Sequence, residues 1–186
     1  MELRKEDVID FWDHMSKKYK FDVIQKDTSV AMHAAGFALD AIGVTNKEKF
    51  MEDFAVTLAN NVYVPFHVGD GKESELLGQV MVAVHESQHV LQWRRNPLKF
   101  MRNYLFNDAA RAHYEAEAYR TNMEIYHFFT GKMLSPTKLA NLLKNYGVDA
   151  GDIRVTRKNL ESSRRVIENG YVISGVSKHA IKWWKK

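Results

Sequence analysis

Two histidines stand four residues apart in the run His85-Glu86-Ser87-Gln88-His89, and a glutamate directly follows the first of them. On a helix this spacing places both imidazoles on one face, where they can bind the same metal ion. Zinc binds neutral imidazole, and a catalytic zinc site has three protein ligands and a water whose pKa the metal lowers to about 7. The pattern therefore predicts that His85 and His89 bind Zn²⁺ and that Glu86 is the base that takes the proton of that water.

The same histidine pair has a simpler interpretation, in which two buried imidazoles only make hydrogen bonds in the core. The chain has eight histidines in 186 residues. At this composition the five-residue pattern would arise by chance in roughly 2% of chains. Chance is therefore a poor explanation, and a metal site is the preferred interpretation.

Two histidines do not complete a zinc site, so a third ligand must come from elsewhere in the chain. Residues 113–119, with the sequence His-Tyr-Glu-Ala-Glu-Ala-Tyr, supply two glutamates in a segment that we expect to be helical. If this helix runs antiparallel to the first, one carboxylate can point toward the two imidazoles. Glu115 and Glu117 are both candidates, because they differ by about half a turn of helix.

The sequence resembles the gluzincin class of zinc metallopeptidases, in which HExxH is followed on a later helix by a glutamate ligand, often within Glu-x-x-Ala-Asp. The matching run here is Glu115-Ala116-Glu117-Ala118-Tyr119. The resemblance implies that Glu115 is the third ligand and that Glu86 is the general base and later the proton donor to the leaving amine. Tyr119 replaces the usual aspartate, which commonly orients a metal-bound histidine.

A narrower resemblance is to small bacterial and phage-encoded peptidases that contain HExxHxxQ, then a basic and aromatic stretch, then Tyr/Phe-Glu-x-Glu-Ala-Tyr. The corresponding parts are residues 85–92, 94–104 and 114–119, preceded by an edge strand at 62–65. This resemblance implies a peptide, protein or peptidoglycan cross-link as substrate. The alternative that it suggests is a non-catalytic structural component of a phage particle, in contact with other subunits, that keeps a zincin fold.

A peptidase also needs a hydrogen-bond donor for the developing oxyanion. Four candidates come from the third long helix, and they are Tyr119, His113, Tyr114 and Tyr126. We choose Tyr119 from this set. Gln92 lies one turn beyond His89 and either supports the site by hydrogen bonding or lies on the helix surface. His67 and His127 have no carboxylate at a pairing distance along the chain, so we interpret them as ordinary polar residues.

Composition limits the other possibilities. Hydrophobic residues make up 45% and charged residues 27% of the chain, as in an ordinary globular protein with one sizeable core. The chain has no cysteine, so disulfides and cysteine-ligated zinc are excluded. We find no apolar run long enough to span a membrane and no secretory signal, and we expect a cytoplasmic or virion-associated protein.

The last 33 residues are strongly basic, with nine lysines and arginines against two glutamates. They could contact nucleic acid, an anionic polymer or an acidic protein, with the two tryptophans as stacking groups. The preferred alternative is a solvated helix face. The residues concerned are Arg154, Arg157, Lys158, Arg164, Arg165, Lys178, Lys182, Trp183, Trp184, Lys185 and Lys186.

The pattern of apolar residues predicts an α+β fold that is mostly helical. Strands are expected at 55–58 and 62–64, as a hairpin that packs on the helix carrying the HExxH run, and a further strand is possible at 171–173. The zincin-like metallopeptidase domain is expected at 1–133 and a basic helical extension, packed on it, at 134–186. The predicted helices cover residues 2–20, 28–42, 45–54, 73–94, 98–106, 108–129, 135–147, 156–168 and 176–184.

Overall fold

The computed structural model describes residues 2–29 and 55–186, which form seven α-helices and three short strands. The α+β, mainly helical class is confirmed. The helices are α1 (Lys5–Tyr19), α2 (Glu73–Arg95), α3 (Pro97–Phe106), α4 (Asp108–Thr130), α5 (Pro136–Asn141), α6 (Ala150–Glu168) and α7 (Gly175–Trp184), with a 3-10 helix at Leu142–Tyr146. The strands are β1 (Asp22–Gln25), β2 (Val56–Leu58) and β3 (Asn61–Val64). The predicted helices at 28–42 and 45–54 fall on residues 30–54, outside the described part, except for residues 28 and 29, which are not helical.

The three strands form one mixed sheet in the order β1-β3-β2. β2 and β3 are the predicted hairpin, with Thr57 opposite Val62, whereas β1 pairs parallel to β3 and was not predicted. The expectation of an edge strand at 62–65 is wrong, because β3 pairs on both sides and lies in the middle of the sheet. Ala59 in the turn has a φ of 57°, a left-handed conformation that alanine seldom adopts. The guanidinium of Arg94 in α2 donates to Asn60 Oδ1 at 2.8 and 2.9 Å, which fixes this turn against the long helix.

Two asparagine caps turn the chain from α2 into α3 and then into α4. Asn96 Oδ1 accepts from the backbone N–H of Lys99 at 3.1 Å, and Asn107 Oδ1 accepts from that of Ala110 at 2.9 Å. Pro97 occupies the first turn of α3, where its missing N–H costs nothing. The short α3 therefore reverses the chain and lets α4 return along α2.

Two hydrophobic clusters lie on either side of α4. The first joins α1, β3, α2 and α7 and includes Ile125 of α4, whereas the second joins the C-terminal helices and includes Tyr119 and Met123 of α4. Trp183 and Trp184 pack on Phe11 of α1, with ring centroids 5.3 and 5.2 Å away. Burial on both sides explains why α4 carries few exposed apolar residues and no simple polar face.

The C-terminal segments differ from two of the sequence expectations. The predicted strand at 171–173 is wrong, because this segment is not in a sheet and the backbone N–H groups of Ile173 and Ser174 donate to Glu124 Oε1 of α4. α6 starts six residues earlier than expected, since the Asp149 carboxylate accepts from Gly151 and Asp152 and caps the helix. None of the helices within 2–29 and 55–186 combines the length and apolarity needed to cross a bilayer.

Candidate metal centre

The ligand atoms of His85, His89 and Glu115 converge between α2 and α4. All of them lie within 4.8 Å of one another, the one such group of three among the described residues. The two Nε2 atoms are 3.1 Å apart, and carboxylate oxygens of Glu115 lie 3.7 Å from His85 Nε2 and 3.4 Å from His89 Nε2. The helices run antiparallel here, because position 89 faces 115 while position 85 faces 119. The predicted triad is therefore assembled in space.

This donor set fits a divalent cation. Glu115 is 1% exposed, and its Oε2 has no hydrogen-bond partner within residues 2–29 and 55–186. A buried carboxylate oxygen without a partner is costly, and a cation between it and the two imidazoles removes that cost. Two imidazole nitrogens and one carboxylate are also the ligand types of a catalytic zinc site with an open fourth position.

The two histidines are held in the form that binds metal. Burial, together with the neighbouring His89, places the pKa of His85 well below its usual value, while the Asn122 side chain has a smaller opposite effect. His85 is therefore neutral at neutral pH. His89 Nδ1 lies 2.8 Å from Gln92 Oε1, and a carbonyl oxygen can only accept, so Nδ1 carries the proton and Nε2 keeps its lone pair for a metal.

Glu117 occupies a different position from Glu115. Its Oε2 accepts from Gln92 Nε2 at 2.8 Å and from Gln88 Nε2 at 3.3 Å. Gln92 also donates to the backbone oxygen of Tyr114 at 3.0 Å. Glu117 thus fixes Gln92, and Gln92 in turn orients His89.

Replacing Gln92 with alanine tests this orientation. We expect about 10- to 100-fold weaker zinc binding, because His89 loses the acceptor that fixes its tautomer. The matched control is Gln88→Ala on the same helix, which also loses a contact to Glu117 but none to a histidine. Zinc affinity is measured by competition with a chromophoric chelator. Equal affinity of Gln92→Ala and the parent would show that the hydrogen bond at Nδ1 is dispensable.

Glu86 lies beside the triad, on the side of the sheet. It is 4% exposed, and Thr57 Oγ1 of β2 donates to its Oε2 at 2.7 Å. Burial raises the pKa of Glu86, and His89, Thr57 and Lys26 oppose this effect. Lys26 directly follows β1 and is itself buried, which lowers its pKa to about 8 while Glu86 counteracts the shift. The sheet therefore positions both the Glu86 carboxylate and the Lys26 cation.

Three tyrosines surround Glu115, of which the sequence pointed only to Tyr119. Tyr104 of α3 donates to Glu115 Oε1 at 2.6 Å, and the Tyr119 ring lies 5.5 Å from that of His85. Tyr146, at the end of the 3-10 helix, is hydrogen-bonded to Tyr119. Burial, followed by the charge of Glu115, raises the pKa of all three phenols well above 10, so they remain hydrogen-bond donors.

The remaining sequence candidates lie away from the triad. His113 is exposed and faces Glu117 at 3.7 Å, whereas the Tyr114 ring packs on Phe100 with centroids 4.8 Å apart. Tyr126 is half-buried, about two turns further along α4 than Tyr119. The two histidines set aside from the sequence are also outside the cluster of ligand atoms, and they are His67 and His127.

The triad of His85, His89 and Glu115, the buried Glu86 and the phenols form one connected polar site inside a helical core. Its arrangement can bind a cation, accept a proton at Glu86 and donate hydrogen bonds from tyrosines. The function of this site has to be inferred from these side chains alone. No protein-family model matches the chain, and neither the curated proteins nor the solved structures contain a match.

Proposed function

We propose that the protein is a zinc-dependent metallopeptidase of the gluzincin type, which hydrolyses a peptide bond. The observation that carries the proposal is the convergence of His85, His89 and Glu115, with their ligand atoms within 4.8 Å, beside the buried carboxylate of Glu86. A metal site without a nearby base would fit a structural role equally well. The adjacent base favours hydrolysis.

Bound zinc supplies a Lewis acid and lowers the pKa of a coordinated water to about 7. The Glu86 carboxylate accepts a proton from the attacking water and later donates a proton to the leaving amine. Its burial raises its pKa toward the pH at which both transfers are efficient. Thr57 holds one carboxylate oxygen at 2.7 Å, so the other oxygen is the one that exchanges protons.

The donor to the developing oxyanion comes from the phenol pair in this proposal. Tyr119 is the residue favoured by the sequence, and Tyr146 is its hydrogen-bonded partner. The hydrogen bond between them uses one O–H group and leaves the second for the substrate. Burial and then the charges of Glu115 and Glu86 raise the pKa of both phenols, which supports a role for them beside these carboxylates.

We propose that an extended substrate pairs with the edge of strand β2. Thr57 of β2 contacts Glu86, and β3 pairs with only one edge of β2. A peptide that lies along the other edge would place its scissile bond near the base. The substrate class that we propose is therefore an extended peptide, a segment of a protein or a peptidoglycan cross-link.

Metal analysis combined with hydrolysis tests the proposal. We expect about one zinc ion per purified chain and cleavage of a mixture of quenched fluorescent peptides that stops with a chelator and returns with zinc. Zinc at a thousand times its dissociation constant should stabilise the fold by about 4 kcal/mol, measured by thermal unfolding. Absence of zinc binding contradicts the metal site. Zinc binding without cleavage of peptides, proteins or peptidoglycan would favour the non-catalytic structural role.

A further inference from the structure

Helix α3 exposes large apolar side chains on the side away from the metal centre. Leu98 and Phe106, at its two ends, are 77% and 82% exposed, and Met101 and Leu105 between them are also exposed. Positions 98, 101 and 105 lie within about 60° of one another around the helix, and 106 lies about 80° from 98, with Arg102 between them. We call these four residues the α3 face. Apolar side chains grouped in this way usually mark an interaction surface.

The segment around the α3 face carries positive charge alone. Residues 88–107 contain four cations and no aspartate or glutamate. The cations are Arg94, Arg95, Lys99 and Arg102. The guanidinium of Arg94 donates to the neutral oxygens of Asn60 and Lys20, which leave its charge uncancelled. The next acidic residue, Asp108, lies 3.3 Å from Arg111, whose charge it offsets.

We propose that the α3 face inserts into the surface of a membrane that contains anionic lipids. A short helix with an apolar side and flanking cations lies in the plane of such a surface, with its apolar side chains at the acyl boundary and its cations among the headgroups. α3 has ten residues and is about 15 Å long. The inference holds whether or not the metal centre hydrolyses a peptide.

Charge and shape favour a lipid surface over a protein partner. In a two-fold dimer, the same four cations of each copy would face one another, which opposes association. Leu98 and Phe106 project from opposite ends of the helix, so a protein partner would need two matched pockets. A fluid bilayer encloses projecting side chains without such complementarity.

The inner side of α3 connects this surface to the metal centre. Tyr104 donates to Glu115 from the inner side of α3, and the exposed Phe106 lies roughly opposite Tyr104 around the helix. A chain seated on the membrane through α3 would hold its metal centre about one helix diameter from the lipid headgroups. Substrates at or near that surface would be within reach of the site.

Vesicle sedimentation with the full chain tests the proposal. We expect binding to vesicles of phosphatidylcholine with phosphatidylglycerol, little binding to phosphatidylcholine alone, and weaker binding at higher salt. The double variant Leu98→Ser/Phe106→Ser should lose at least about tenfold in affinity for these vesicles. The pair Lys99→Glu/Arg102→Glu should have a similar effect.

Matched controls separate the α3 face from general properties of the chain. Val155→Ser/Tyr171→Ser removes comparably exposed apolar side chains elsewhere, and Lys158→Glu/Arg165→Glu makes the same change in net charge on α6. Both controls should bind as the parent does. Equal loss in the controls, or no binding to anionic vesicles, would overturn the proposal.

A fluorescent probe distinguishes insertion from simple adsorption. Because the chain has no cysteine, Phe106→Cys can be labelled at one position with an environment-sensitive dye, as can Tyr171→Cys as the control. Insertion predicts a blue-shifted and brighter emission at 106 on anionic vesicles and no change at 171. A dimer in solution that Leu98→Ser/Phe106→Ser converts to a monomer would assign the face to a second copy instead.

Discussion

Glu86→Gln should lower the rate of peptide hydrolysis by about 10²- to 10⁴-fold while zinc remains bound. The amide has the shape of the carboxylate and can still accept from Thr57 Oγ1, so the fold around β2 is preserved. It cannot accept or return a proton at the pH of the reaction. Zinc content by mass spectrometry and steady-state hydrolysis, measured on the same preparation, provide the two readouts.

The control for this variant is Glu73→Gln, an exposed glutamate in the first turn of the same helix. It makes the same chemical change away from the site and should leave the rate unchanged. If Glu86→Gln retained the rate of the parent, Glu86 would lose its role as the base. If Glu86→Gln lost its zinc, the variant would report on the metal site rather than on proton transfer.

Glu115→Ala should weaken zinc binding by at least about 100-fold. Loss of a residue that only hydrogen-bonds to a metal ligand already weakens binding by about 10- to 100-fold, so loss of a ligand itself should have a larger effect. It removes a carboxylate that lies 3.4 and 3.7 Å from the two imidazoles. Glu117→Ala, two residues further along α4, should change affinity much less, because Glu117 binds Gln92 and Gln88 rather than His85 or His89. Chelator competition on the three proteins compares the two glutamates directly.

Stability without metal gives this prediction a second, independent readout. The parent buries the unpaired Oε2 of Glu115, so the metal-free chain carries an uncompensated cost. Glu115→Gln removes the charge and should raise the free energy of unfolding of the metal-free protein while it lowers zinc affinity. If Glu115 only stabilised the fold, Glu115→Gln would instead lower the free energy of unfolding of the metal-free protein. Unchanged zinc affinity in both Glu115 variants would remove this residue from the ligand set.

The parts of the structure with a local signal were predictable from the sequence. The long helices follow from apolar spacing, and the hairpin from two β-prone runs around a short turn. The spacing of His85 and His89 fixed their common face, because four residues make about one helical turn. The choice between Glu115 and Glu117 needed the relative rotation of two helices. The family resemblance pointed to Glu115, and the structure places that residue beside the imidazoles.

The features that were missed depend on contacts distant in sequence. β1 has only four residues, and its parallel partner β3 lies far along the chain. The sequence therefore contains neither a long β-prone run nor a hairpin turn that would predict β1. Tyr146 reaches the site only because the 3-10 helix packs against α4, and no spacing rule links it to residue 115. The run at 171–173 has strand-like composition, but the carboxylate of Glu124 satisfies its backbone instead of a neighbouring strand.

The position of α4 between two hydrophobic clusters links the ligand set to the C-terminal third of the chain. Met123 and Tyr119 pack with Leu143 and Leu160, while Glu115 on the same helix faces the imidazoles. Any ligand that fixes Glu115 must therefore also favour the folded arrangement of the distant helices. Reciprocally, loosening those helices raises the free energy of assembling the ion-binding arrangement. The helices of residues 134–186 thus stabilise the arrangement of His85, His89 and Glu115, to which Tyr146 connects them through its hydrogen bond with Tyr119.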